Sequence, residues 1–404
     1  MSDAPGTPPT ATSAEDAPPP KKKRRTWRWV LLVLVLVPLL LRGLVLRVFE
    51  IQSASMRPTF VEGDRLAVLR DTWESDPIER WDVVVLESSF DAEIAAAAEA
   101  VLKRVVGLPG ETVAVREGDV WIGPTGADEQ ALSIARKPDA LVAALLAEVM
   151  DTTFLGIPWA WMGPGELRRL DGEGIEILPD DAAPALARYG KVIDDGVDGA
   201  PGNEPVGDTA LRLEIGPGEG DLRMTLREGA DVFEARLATA ARGGASLSHN
   251  GAGVVAELPA FQGLEDGDVV LMWNVDNGVR LFVDEELVLS YDYAENRRQT
   301  PGGELVNGPG LGVEGAPLVL RRVTILRDAH HTDDGGFATA SAPDHLSPVG
   351  LGPHELFLLG DHGARSRDGR FFGPVERERV LGRPFALVWP WERSRWLDPN
   401  GLQR

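Results

Sequence analysis

The longest apolar run in the chain lies between Trp29 and Leu41 and continues, interrupted by Arg42 and Arg47, to Phe49. Measured from Trp27, this segment is long enough to cross about 30 Å of hydrocarbon as a helix, provided that the two arginines snorkel outward near one end. The pattern therefore predicts a single N-terminal transmembrane helix over 27–49, with Pro38 tolerated as a kink. Lys21-Lys22-Lys23-Arg24-Arg25 precedes it and assigns the N-terminal tail, 1–26, to the cytoplasmic side. That tail is rich in Pro, Ala, Ser, Thr and Asp and is expected to be disordered. No small-x-small cleavage site separates the apolar segment from the serines at 53 and 55, so a retained anchor is expected.

Beyond the anchor the periodicity becomes that of strands. Asp64–Leu69, Asp82–Leu86, Val101–Val106, Thr112–Val115 and Asp119–Ile122 are branched and apolar, with turn residues between them. They predict the β-built first part of a domain over 50–122, in which Ala92–Leu102 begins as a short helix. A connector follows over 123–165, with an amphipathic helix at Pro138–Val149. From 166 to 330 short strands recur between Gly, Asn and Asp turns: Leu211–Ile215, Leu222–Leu226, Asp231–Leu237, Val254–Glu257, Asp268–Asn274, Gly278–Asp284, Leu287–Tyr291 and Pro317–Leu326. The expected class is mainly β, with this region forming an inserted antiparallel sandwich of jelly-roll type. Residues 331–392 are expected to form the second part of the domain begun over 50–122, and 393–404 to be a tail.

Charge and composition narrow the function. Sixty-three acidic residues against 41 lysines and arginines leave a net charge of −22, which argues against a nucleic-acid partner because phosphate binding needs a basic surface. Cysteine is absent, so there are neither disulfides nor thiolate metal sites. No His-Glu-x-x-His helix occurs. Asp266, Asp268, Asp276 and Asp284 read as turn residues in preference to a calcium site. No metal and no cofactor is expected.

Two stretches suggest chemistry. Ile51-Gln52-Ser53-Ala54-Ser55-Met56-Arg57-Pro58-Thr59 reads as an exposed loop in which alternating hydroxyls face one way, with Pro58 stiffening the turn. Val101-Leu102-Lys103-Arg104-Val105-Val106-Gly107 places two adjacent cations in an apolar strand, so that one must point inward. A buried lysine loses solvation of its charged form and becomes available as a neutral base for a serine hydroxyl.

These stretches resemble the Ser and Lys motifs of type I signal peptidases. So does Leu359-Gly360-Asp361-His362, followed by Ser366-Arg367-Asp368-Gly369-Arg370 and Gly373-Pro374-Val375, with His362 where that family has Asn and Gly369 where it has Ser. Arg80-Trp81-Asp82-Val83-Val84-Val85 is similar to its Arg-Gly-Asp-Val-Val-Val strand, with Trp81 for Gly. The resemblance implies a membrane-bound endopeptidase that removes signal peptides, with small residues before the cut, from exported preproteins. It implies a single-pass protein of the cytoplasmic membrane whose catalytic domain lies outside. Ser55 is then the nucleophile and Lys103 the general base. Ser53 and the Ser55 N–H hold the oxyanion, Ser366 orients the lysine, and Asp361, Asp368 and Arg370 support the loop. A Ser-His-Asp triad through His362 is the less favoured arrangement.

The insertion resembles concanavalin-like and laminin-G-type sandwiches in Trp273–Asp284 and Leu287–Leu289. This leaves a glycan or protein ligand open, with Trp273, Tyr291 and Tyr293 either stacking on it or, the more expected reading, filling the core. The competing function is an anchored, catalytically weak binding protein that uses this sandwich.

Overall fold

The computed structural model describes residues 46–70, 77–97, 100–116, 118–152, 159–170, 174–180, 183–195, 205–239, 242–294, 308–331 and 348–403, together with Trp29, Val30 and Leu34. Six strands open this chain: β1 (Leu46–Glu50), β2 (Arg65–Arg70), β3 (Val83–Glu87), β4 (Ala100–Gly107), β5 (Glu111–Arg116) and β6 (Asp119–Pro124). In β3 four successive residues, Val83–Leu86, are buried, and in β4 the last six are. Continuous burial of this kind requires a sheet covered on both faces, and it explains the unbroken apolar runs where a half-exposed strand would alternate.

β3 and β4 are central in a sheet ordered β1, β2, Val380–Trp389, β3, β4, Glu355–Leu359, Val375–Glu376, with Arg395–Trp396 added beside Val380–Trp389. The antiparallel register sets Val84 opposite Lys103 on one side of β4 and Leu359 opposite Arg104 on the other. Strands from both ends of the chain are thus brought together around Lys103. β5 and β6 form a hairpin in a smaller sheet with Val349–Gly350 and Ser133–Ile134.

The inserted region folds as two antiparallel sheets. One runs Glu166–Leu170, Gly174–Leu178, Leu318–Arg327, Thr209–Gly218, Val269–Val275, Gly278–Val283, Glu286–Asp292, with Ala147–Thr152 also paired to Leu318–Arg327. The other runs Val254–Leu258, Ala245–His249, Asp231–Leu237, Asp221–Glu228, Gly310–Glu314, Ala185–Tyr189, Trp159–Met162. Leu211, Leu213, Met272 and Leu281 from the first sheet and Met224, Leu226, Phe233 and Leu247 from the second share one buried core, as in an aligned sandwich. Residues 147–152 and 159–162, expected in the connector, are strands of this sandwich. The helix expected over Pro138–Val149 is Asp139–Leu145; it stops where the chain pairs as Ala147–Thr152.

Most of the expected transmembrane segment and the whole of the 1–26 tail lie outside the described residues, and no described helix is long and apolar enough to cross a membrane. The end of that segment is strand β1. Val48 and Phe49 suit an extended backbone, Phe49 packs against the core under β2 and β3, and Arg65 Nε donates to Glu50 at 3.0 Å. The expected C-terminal tail is also ordered. The Val83 N–H donates to the Pro399 carbonyl at 2.8 Å, Arg104 Nη1 donates to that of Asn400 at 2.8 Å, and Leu397 is buried. Val48–Arg404 forms one compact unit.

Candidate active site

Lys103 and Arg104 project to opposite faces of β4, and both are buried, 2% and 3% exposed. Only one of them was expected to turn inward; the two-sided covering of the sheet buries both, so each needs its own compensation. Arg104 has a full set of acceptors. Nε and Nη2 donate to Asp361 Oδ1 and Oδ2 at 2.6 and 2.7 Å, and Nη1 donates to the Trp81 and Asn400 carbonyls. This bidentate fork is the strongest form of ion pair, and Thr59 Oγ1 donates to the same Asp361 at 2.5 Å.

Lys103 has less. Its Nζ donates to Ser366 Oγ at 3.1 Å, and Ser366 is fully buried. Burial pulls the amine down from 10.5 to about 8, with Asp368 and Asp361 opposing the shift and Arg370 reinforcing it. The two neighbouring cations therefore differ in kind. Arg104 is a permanent charge neutralised by Asp361, whereas Lys103 has access to its neutral form near physiological pH.

Ser55 lies in a tight turn, Ala54–Met56, and is 5% exposed, not in an exposed extended loop. Ser53 is exposed and extended, and its Oγ lies 3.2 Å from that of Ser55. The Ser55 carbonyl accepts the His362 N–H at 3.1 Å, which ties the serine turn to the loop that carries Ser366. At Gly360, beside that loop, a β-carbon would come within 2.2 Å of Ser366 Oγ and 2.5 Å of the Ser55 carbonyl oxygen. Glycine is the residue that lets the two serine segments approach this closely.

Asp368 and Arg370 hold the loop from within. Arg370 Nε donates to Asp368 Oδ1 at 2.9 Å and its Nη2 to the Gly363 carbonyl at 2.7 Å, while Asp368 Oδ2 accepts the Gly360 N–H at 3.0 Å. Burial alone would raise the Asp368 carboxyl, but Arg370, through charge and hydrogen bond, holds it down at about 2. Asp361, grouped with these two as loop support, instead pairs across to β4.

The departures from the resembled motifs have structural counterparts. His362 Nδ1 accepts the Arg365 N–H at 3.1 Å and caps the short turn 363–365. At Gly369 a β-carbon would approach the Leu358 carbonyl to 2.8 Å and the Phe357 ring to 3.1 Å, so a serine there would displace the adjacent strand. Trp81 adopts φ 76°, a left-handed backbone that glycine enters freely and a bulky residue does not. Its ring is buried in the core under β5 and β6 and faces the Lys137 ammonium at 5.8 Å.

Sequence reasoning missed Arg104, Thr59 and Gly360 as parts of the site. All three lie inside the stretches already singled out: Arg104 as the second cation in an apolar strand, Thr59 at the end of the serine stretch and Gly360 in Leu359-Gly360-Asp361-His362. The aromatics offered for ligand stacking are mostly interior: Trp273 is buried against Phe282, and the Tyr293 hydroxyl donates to Glu228 at 2.6 Å and lies within hydrogen-bond distance of the Asn274 amide.

The fold thus holds a buried lysine against the buried Ser366, on a loop that is tied through the Ser55 carbonyl to the turn carrying the paired hydroxyls of Ser53 and Ser55. The family model for signal peptidase, peptidase S26, matches residues 24–153 and 267–389, more than half of the chain, and the chain belongs to that family. Signal peptidase I of Bacillus caldolyticus is 30% identical over 105 residues, 26% of this chain and 53% of that protein. Probable signal peptidase I-1 of Synechocystis sp. is 35% identical over 94 residues, 23% and 48% of the two chains. The chain thus spans about half the length of these relatives. Among solved structures, a Bacillus subtilis protein of unknown function with a galectin-like fold aligns with 45% of this chain and 99% of its own at 11% identity and a TM-score of 0.31. Winged bean acidic lectin aligns with 44% and 97% at 12% identity and a TM-score of 0.31. Neither similarity carries an argument about function.

Proposed function

We propose that this protein is a membrane-bound serine endopeptidase that removes N-terminal signal peptides from exported preproteins, with Ser55 as nucleophile and Lys103 as general base. The observation that carries this reading is a lysine 2% exposed, with an amine brought down to about 8 and held 3.1 Å from the Ser366 hydroxyl. In the first step neutral Lys103 takes the Ser55 hydroxyl proton as Ser55 Oγ attacks the scissile carbonyl. The protonated lysine then gives that proton to the leaving amine as the peptide bond breaks, leaving an acyl-enzyme. Lys103, neutral again, takes a proton from water in the second step as the resulting hydroxide attacks the acyl carbonyl; the ester C–O bond then breaks, the protonated lysine returns that proton to Ser55 Oγ, and the product acid ionises to its carboxylate. The Ser55 N–H and the Ser53 hydroxyl hold the oxyanion, each such donor being worth about 3 kcal/mol in the transition state. Ser366 positions the amine, while the Arg104–Asp361 and Asp368–Arg370 pairs fix the loop and strand that hold Ser366 and Lys103.

The apolar segment before Ser53 anchors the protein once in the cytoplasmic membrane, with the N-terminus inside and the catalytic domain outside. Both enzyme and substrate are then confined to one bilayer surface, which raises the local concentration of leader peptides. Cleavage of a model preprotein in detergent by the parent chain and by Ser55→Ala and Lys103→Ala tests the assignment. Cutting after a small-x-small sequence by the parent alone supports it. An active Lys103→Ala variant, or a folded parent that cuts no leader, refutes it.

A further inference from the structure

The outer face of the second sandwich sheet carries a charge pattern that the proposed chemistry does not use. Alternation along each strand defines this face. Leu222, Met224 and Leu226 of Asp221–Glu228 lie in the core, as do Ala185 and Ala187 of Ala185–Tyr189 and Leu311 of Gly310–Glu314, so Thr225, Arg227, Arg188 and Gly310 lie on the opposite side. Antiparallel pairing sets Arg188 opposite Gly310, and Gly310 opposite Thr225. Arg188 and Thr225 thus flank a strand that presents no side chain between them. Arg227 follows Thr225 by two residues on the same face, and Thr225 Oγ1 lies 3.8 Å from the point a β-carbon at position 310 would occupy.

Four arginines on this face fall into two kinds of environment. Arg223 and Arg236 are neutralised: Arg223 Nε is 3.0 Å from a Glu314 oxygen, and Arg236 Nε is 3.0 Å from one of Glu234. Arg188 and Arg227 have no such partner among the described residues. Arg188 Nε and Nη2 are shut off from solvent without a hydrogen-bond acceptor. Arg227 is half-buried, and burial first, then the Arg188 charge, hold its guanidinium below the ordinary arginine range, with no carboxylate opposing the shift. Buried donors without acceptors are costly, and so are neighbouring like charges. The chain has 63 acidic residues against 41 lysines and arginines, so carboxylates are plentiful, yet none neutralises this pair. Its counter-ion is to be sought outside the chain.

We propose that Arg188 and Arg227, with the Thr225 hydroxyl beside them, bind a doubly charged tetrahedral oxyanion, either free phosphate or the phosphate group of a small ester. The planar guanidinium fork donates two parallel hydrogen bonds to such a group, and two guanidiniums without a carboxylate of their own match two negative charges. Gly310 lets the anion approach the sheet closely. Arg227 pairs with Val232 on the next strand, and there the face continues into a cavity of about 830 Å³ lined by Val232, Glu234, Arg236, Ser246, Ser248 and Asn250. This cavity gives the organic part of an ester both space and polar partners.

The experiment is calorimetric titration of the full chain in non-ionic detergent at low ionic strength and a pH of about 8, where a phosphate ester carries two charges. The probes are sodium phosphate and glycerol 1-phosphate, with sodium acetate as the singly charged comparison, and thermal unfolding is followed with and without phosphate. The expected result is one site per chain that takes phosphate about tenfold or more tightly than acetate, and a higher Tm with phosphate. Tighter binding of glycerol 1-phosphate than of the free ion assigns the site to an ester that uses the cavity; equal or weaker binding assigns it to the free ion, and both support the arginine pair. Arg188→Gln and Arg227→Gln should each weaken phosphate binding by about tenfold or more, while Arg242→Gln, at an exposed arginine paired with Asp221, leaves it unchanged. Without phosphate the two variants lose a repelling charge and should melt no lower than the parent, which separates lost binding from lost folding. The proposal is overturned by absence of binding up to about 10 mM, ten times the concentration that half-fills a millimolar site. Acetate binding as tightly as phosphate, or phosphate binding that both substitutions leave intact, overturns it equally. Cleavage is not the readout, so failure here is distinct from failure of the peptidase assignment.

Discussion

Replacing Lys103 by methionine separates what the buried amine does for chemistry from what it costs the fold. Methionine fills nearly the same volume without a charge. In the parent the amine falls from 10.5 to about 8 on folding, principally through burial. Because the folded-state value is depressed, the unfolded chain binds more protons between these limits, and stability rises with pH across that window. The linked stability is fully present above about 10.5, is lost as pH falls through about 8, and stays lost below. At about 1.4 kcal/mol per pH unit the window corresponds to about 3 kcal/mol. Lys103→Met escapes this penalty and forfeits one hydrogen bond to Ser366, worth about 1 kcal/mol. It should therefore be inactive at every pH and more stable than the parent by about 2 kcal/mol at pH 7, with the advantage shrinking to nothing or reversing by pH 10. Urea unfolding of both proteins at pH 7, 8, 9 and 10, followed by tryptophan fluorescence, measures this. A stability difference that does not vary with pH refutes the desolvated-lysine argument, and with it the physical basis for Lys103 as base.

In the same way, parental kcat/KM on a model preprotein should rise about tenfold from pH 7 to pH 9 as an amine near 8 loses its proton; a flat profile contradicts the assignment. Ser366→Ala removes the acceptor of the Lys103 amine and should lower kcat by about 10- to 100-fold with KM little changed, while unfolding shifts by about 1 kcal/mol; unchanged kcat would remove Ser366 from the mechanism. Gly360→Ala drives a methyl group into Ser366 Oγ and the Ser55 carbonyl, with an expected cost of about 1–3 kcal/mol and loss of cleavage, read from denaturant melts and the same assay. Asp368→Asn leaves the Arg370 guanidinium buried without its counter-ion and should destabilise by about 3–5 kcal/mol. In the parent, the stability from this carboxylate is present above 3.8 and lost as pH falls through about 2, and an acid titration of the variant should lack that phase.

The sequence by itself determined the order of motifs, the types of residue that carry them, and most strands. Asp231–Leu237 matches its expected bounds, and Thr209–Gly218, Val269–Val275 and Glu286–Asp292 differ from theirs by a few residues, because period-two alternation is a local property that a sandwich enforces. Strands made of small or glycine-rich residues, Ala245–His249 and Gly310–Glu314, left no such pattern and emerged only from pairing. The tertiary structure decided three further matters. It buried both cations of β4, because helical or strand periodicity says which face a residue occupies and not whether that face is covered. It joined Arg104 to Asp361, 257 positions further along the chain, and it drew Leu397, Pro399 and Asn400 from an expected tail against the catalytic sheet. Each of these results is a contact between distant parts of the chain, set by packing and charge neutralisation in a low-dielectric interior, and such contacts leave no trace in any one window of sequence.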